Sequence, residues 1–129
     1  MTDDTEIYRK MCATANLPWE PKIRDCFTVN QSIGIWGKDS IYVVDEYTLS
    51  VKLKEKAFSD IVVPHFSIKQ LMEMLPKEEN NLHWHKEGFC TFTFADGVHF
   101  SGDTPEQALI RGVKWERDGK KWNGEDDWM

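Results

Sequence analysis

The amino-acid sequence predicts an α+β domain with an antiparallel β-sheet, and three features carry that prediction. Residues 82–101 read as three short strand-like runs broken by Glu87-Gly88 and Asp96-Gly97, dipeptides that mark hairpin turns. Thr104-Pro105-Glu106-Gln107 follows at once and reads as a helix start, with a capping hydroxyl, a first-turn proline and an amide placed to reach back. A second strand-rich stretch runs from residue 22 to residue 54.

The elements follow in order. Residues 4–15 predict a helix, with Tyr8, Met11, Cys12 and Ala15 on one face and Thr5 or Asp4 as cap; Pro18 and Pro21 forbid its continuation. Residues 23–29, 41–44 and 47–51 are strand candidates, joined by a turn-rich connection at 32–38 around Ile35 and Trp36. Residues 54–60 read as a polar connection and 61–64 as a brief extended piece. Ser67 opens a second helix with Gln70 completing a capping box; Ile68, Leu71, Met72 and Leu75 form its apolar stripe and Pro76 stops it. Residues 77–81 read as a loop. The meander is then a strand at 82–86, a two-residue turn, a strand at 89–94, and a third at 98–101. The last helix runs from 105 to about 117, with Ala108, Leu109, Gly112 and Val113 as its buried stripe and Gly119 as a left-handed cap. Gly112 predicts close packing of this helix on the sheet. In the tail, Trp122 is expected to pack back and Trp128 to fray.

The architecture expected is therefore one domain over residues 1–129, with about three helices packed on the sheet. A helix and strands occupy about 4–54, a helix–meander–helix unit about 61–118, and a tail 119–129. A chain of 129 residues is long enough for one real core, and 40% apolar with 29% charged residues is a globular composition. The net charge of −6 argues against nucleic acid as a partner, since that needs a basic footprint. No run approaches the roughly 20 apolar residues of a membrane span, and the acidic, polar start is not a secretory signal. Cys12, Cys26 and Cys90, odd in number and far apart, read as reduced thiols, with the cytoplasm as the expected location.

The residues nearest to chemistry are His83-Trp84-His85. Strand alternation puts both histidines on one face. With Glu87-Gly88 as a two-residue loop, His85 pairs with Cys90 and His83 with Phe92, so His83, His85 and Cys90 share a face as a candidate metal set. His99 pairs with Phe94 on this register. The opposite face, with Leu82, Trp84, Phe89, Thr91, Thr93, Val98 and Phe100, packs on the helices. His83, His85, Phe92, Phe94 and His99 are left as a candidate ligand- or partner-binding face, unless N-terminal strands cover it. No catalytic residue is assigned: there is no Gly-x-Ser-x-Gly elbow, no glycine-rich phosphate loop and no paired carboxylate site, and no cofactor is implied.

Several segments carry a family resemblance. Glu6-Ile7-Tyr8-Arg9-Lys10-Met11-Cys12 and Trp19-Glu20-Pro21-Lys22 resemble the opening of small uncharacterised proteins encoded by phages and prophages of low-GC Gram-positive bacteria. Residues 61–71 stand where that family has a "W-L-P-R-x-D-Q-L" segment, keeping the proline, Gln70 and Leu71, with Val62 at the tryptophan. Thr104-Pro105-Glu106-Gln107-Ala108-Leu109 resembles its "T-P-E-x-A-L" helix, and residues 121–128 its "W-N-G-E-x-W" tail. The resemblance implies a mobile-element origin and life in the host cytoplasm, and it supplies no active residues. The function expected first is a non-enzymatic accessory protein that binds a host or phage protein; homo-oligomerisation stays open. The alternatives are a binder or sequestering protein for a small, nucleotide-like ligand, and a metal-dependent enzyme using His83, His85 and Cys90.

Overall fold

The structure, a computed structural model, describes residues 3–76 and 81–129. These residues form five α-helices and two three-stranded antiparallel sheets, an α+β architecture. Helix α1 (Glu6–Ala15) starts at Thr5, whose hydroxyl accepts from the Tyr8 N–H at 3.3 Å, and ends at Asn16 in the left-handed region. Its face of Tyr8, Met11, Cys12 and Ala15 is buried, as the helical spacing predicts.

The first sheet has the order β2 (Tyr42–Val43), β1 (Cys26–Val29), β3 (Val62–His65). The register pairs Thr28 with Val63 and Val29 with Val62, so alternation sends Val63 and His65 to one side and Phe27 and Val29 to the other. Both sides are covered. Val63 joins the main core under α1, while Phe27 and Val29 form a second core with Val44, Phe58 and Ile61.

Two stretches differ from the sequence expectation. Residues 47–51, rich in strand-forming types, lie mostly in helix α2 (Glu46–Ser50). Asp45 decides this: one carboxylate oxygen accepts both the N–H and the hydroxyl of Thr48 at 2.8 Å, closing a helical turn that local β propensity cannot override. Residues 54–60 are not a plain connection, because a 3₁₀ turn (Lys52–Lys54) and helix α3 (Lys56–Ser59) carry Phe58 into the second core.

Helix α4 (Ile68–Glu73) has the full capping box: Ser67 accepts from the Gln70 N–H at 3.2 Å and the Gln70 side chain accepts from the Ser67 N–H at 2.8 Å. Leu71 and Leu75 are buried, but Met72, assigned to the stripe, is 56% exposed. Most of the expected 77–81 loop lies outside the described residues. The second sheet is the meander β4 (Asn81–Trp84), β5 (Cys90–Thr93), β6 (His99–Gly102). Helix α5 (Pro105–Asp118) lies across it, capped by Thr104 and ended by Gly119 at φ 65°.

Helix α5 is the centre of the molecule. It touches β5 and β6 on one side and α1 and α4 on the other. From Pro105 to Lys114 every residue but Arg111 is buried, so the helix is covered almost all round rather than along one stripe. Its approach to the sheet is close. A Cβ on Gly112 would stand 2.8 Å from the Phe92 ring, and one on Gly102 would stand 2.6 Å from Gln107 Cβ. The tail also packs. Trp122 and Trp128 meet with ring centroids 5.1 Å apart, both buried, so Trp128 does not fray. Asn123 holds the turn between them by accepting three successive backbone N–H groups from Glu125, Asp126 and Asp127.

Candidate functional site

Both hairpins of the second sheet use three-residue loops, and this sets which side chains can act together. His85 N–H donates to Phe89 O at 2.8 Å across Lys86-Glu87-Gly88, and Phe94 N–H donates to Val98 O at 2.8 Å across Ala95-Asp96-Gly97. Gly88 and Gly97 both sit at φ 93°. A two-residue Glu-Gly or Asp-Gly turn of the favoured type needs positive φ at both central residues, and neither Glu87 nor Asp96 adopts it. The loop instead turns once and lets the glycine form a bulge.

The extra residue slips the register by one and exchanges the partners. His83 pairs with Thr91, Trp84 with Cys90, Leu82 with Phe92, and Thr93 with His99. The expected pairs His85–Cys90, His83–Phe92 and Phe94–His99 are therefore replaced. Cys90, Phe92 and Phe94 turn inward beside Leu82 and Phe100 and are buried under α5, while Thr91 and Thr93 turn outward. Phe89 does not pack on the helices but stacks on the His85 ring at 4.1 Å. Trp84 stays 56% exposed on the edge strand, and Val98 is exposed at the second loop.

The candidate binding face thus loses its phenylalanines, and the candidate metal set loses its thiol. Burial pushes the Cys90 thiol above its ordinary range, with Glu106 adding to the effect. Among the described residues, no three His, Cys, Asp or Glu side chains converge as a metal site. Cys12 is equally remote from nucleophilic chemistry, its thiol pushed up to about 12 by burial.

What remains outward is a polar row. His83 and His85 meet edge to face at 4.7 Å. His85 Nε2 lies 2.8 Å from the Thr91 hydroxyl, which lies 3.0 Å from the Ser101 hydroxyl, so the residue after β4 is linked across β5 to β6 by one side-chain chain. His99 is apart from it, its Nδ1 3.5 Å from Gly97 O. Ser101 borders an open cleft of about 430 Å³ between the end of this sheet, α5 and the tail, where Phe89, Trp122 and Arg111 also stand.

The first half of the chain carries a feature of a different kind. Ile33 and Trp36 exchange both backbone hydrogen bonds, at 2.8 and 2.9 Å, around Gly34-Ile35. Gly34 supplies the positive φ, 57°, that the first position of such a turn requires. Trp36 anchors the turn in the second core against Phe27, Tyr42 and Phe58. Ile35, at the tip, is 89% exposed. Six of the ten large apolar side chains exposed among the described residues fall between Ile23 and Val51.

Sequence reasoning assigned none of Thr91, Ser101, Arg111 or Ile35 to a site. Ile35 left a signal, an apolar Ile35-Trp36 pair bounded by Gly34 and Gly37 in a turn-rich connection. The others left none, because the first two follow from the register and Arg111 from how α5 is surrounded. Among the described residues, no helix is long and apolar enough to cross a membrane. Comparison with protein-family models, curated proteins and solved structures finds no match to this chain.

Proposed function

We propose that this chain is a binding protein that takes another protein by the Ile35 knob. In the setting the resemblance implies, it is a phage or prophage accessory protein and its partner is a host or phage protein. The observation that carries the reading is Ile35 itself: a β-branched side chain 89% exposed at the tip of a turn closed by two backbone hydrogen bonds and anchored by Trp36. Folding gains nothing from leaving an isoleucine there. A partner pocket that buries it gains about 1.5–3 kcal/mol, and the closed turn has little conformational freedom left to lose. Lys38 and Asp39, exposed just beyond the turn, supply a charged rim of both signs.

The test is capture from a lysate of a low-GC Gram-positive bacterium on immobilised wild type, Ile35→Asp and Met72→Asp, the last an exposed apolar residue on another element. Wild type and Met72→Asp should retain the same discrete protein and Ile35→Asp should lose it, with melting temperatures unchanged. Retention by Ile35→Asp, or no specific protein on wild type, rejects the reading.

A further inference from the structure

Arg111 is the only residue between Pro105 and Lys114 that α5 does not bury, and it faces the cleft at the sheet end. Among the described residues, nothing in the chain satisfies it. Its Nε is shut off from solvent with no acceptor, and no carboxylate lies within ion-pair distance of its guanidinium. Asp103, exposed at the mouth, acts on it only through space. A guanidinium held this way is half stripped of water and keeps its outer Nη groups for something that enters. Phe89 and the exposed edge of Trp122 give the cleft two aromatic contacts in a lining that is otherwise mostly polar. The hydroxyl of Ser101 adds a polar group at the cleft. When His85 Nε2 donates to Thr91 and Thr91 donates to Ser101, the Ser101 O–H is free to donate into the cleft.

We propose that this cleft binds a small aromatic carboxylate, with the Arg111 guanidinium taking the carboxylate end-on, Phe89 and Trp122 holding the ring, and Ser101 donating to a carboxylate oxygen. A volume of about 430 Å³ lies in the range of small-molecule sites and accepts a one- or two-ring ligand. The site is separate from the Ile35 knob, so either proposal can fail without the other.

The probes are benzoate, its neutral amide benzamide, and inorganic phosphate, titrated into the ¹⁵N-labelled full chain. Benzoate should shift the Arg111 Nε–H resonance saturably, benzamide should leave it in place, and phosphate should bind at least several-fold more weakly for want of a ring. Arg111→Lys keeps the charge but not the fork and should weaken benzoate about tenfold; Arg111→Gln should abolish binding. Ser101→Ala, which removes a half-buried hydroxyl and should leave the melting temperature within a few degrees of wild type, should weaken benzoate several-fold. The proposal is overturned if benzoate gives no saturable shift, if benzamide matches it, or if Ser101→Ala and Arg111→Lys both bind like wild type.

Discussion

At the scale of single residues, α5 shows how strongly surroundings override local preference. Gly112 costs a helix about 1 kcal/mol against alanine, yet the Phe92 ring leaves no room for a methyl group. Gly112→Ala should therefore lower stability, by about 1 kcal/mol net, because overpacking of about 1–3 kcal/mol exceeds the propensity gain. Thermal unfolding checks this, and Phe92→Leu in the same chain should recover part of the loss. Glu106 is the second case. Burial, with Asp3 nearby, raises its carboxyl above the usual range, although its Oε2 accepts from the Asp3 N–H at 2.7 Å. A carboxyl with a raised folded pKa favours the fold fully below its unfolded pKa, and that contribution is lost as pH rises through the folded value. Glu106→Gln should thus be more stable than wild type at pH 7, with the difference closing near pH 4 and below. Melting curves across pH read this directly; a constant gap between the two chains would mean that the charge is not the cause. Asp3 behaves oppositely. Burial would raise it, but hydrogen bonds from Thr104, Thr5 and Gln107 outweigh that and hold it below the usual range, so its contribution is lost only in acid.

At the scale of elements, helix ends were legible and hairpin loops were not. Thr5, one of the two caps the sequence offers for α1, and Ser67 and Thr104 all cap their helices, because the capping bond itself is made within the first turn. Thr104 does more than cap. It accepts from the Gln107 N–H and donates to the buried Asp3 carboxylate, tying the chain before α1 to the start of α5. Gln107 accordingly reaches Asp3 and the Asp103 N–H instead of closing a capping box on Thr104. Thr104→Ala should cost about 1–2 kcal/mol, more than a solvent-exposed cap, and denaturant unfolding measures it. The two hairpins show the opposite lesson. Glu-Gly and Asp-Gly fit a two-residue loop or the end of a three-residue one, and the choice turns over the face of every side chain between. Helix α2 was missed for a related reason, since Tyr-Thr-Leu reads as strand until Asp45 is seen to hold Thr48.

At the scale of the whole molecule, α5 and the tail join parts distant in sequence. Buried Lys114 donates to the Ala15 carbonyl at 2.6 Å and is paired with Asp118, so α5 closes the end of α1. Trp128 is buried against Trp122 and its Nε1 donates to Met11 O at 3.4 Å. Trp128→Ala should cost about 3–5 kcal/mol, the usual loss for a large buried aromatic, and lower the melting temperature accordingly. A loss near zero would mean that the tail is not part of the core.

The α+β class, the caps, the prolines that end helices, the buried face of α1 and the close approach at Gly112 can all be read from the chain's residues in order. Each depends on contacts within a turn or on the size of one residue. Register and packing between distant segments set the rest: Cys90, Phe92 and Phe94 face inward, His85 is linked to Ser101 through Thr91, α5 is surrounded, and among the described residues Arg111 has no hydrogen-bond or ion-pair partner and Ile35 stays exposed. The physical reason is the same throughout. A strand shows one of two faces according to a single residue of register, and a side chain is free or satisfied according to what distant segments bring beside it.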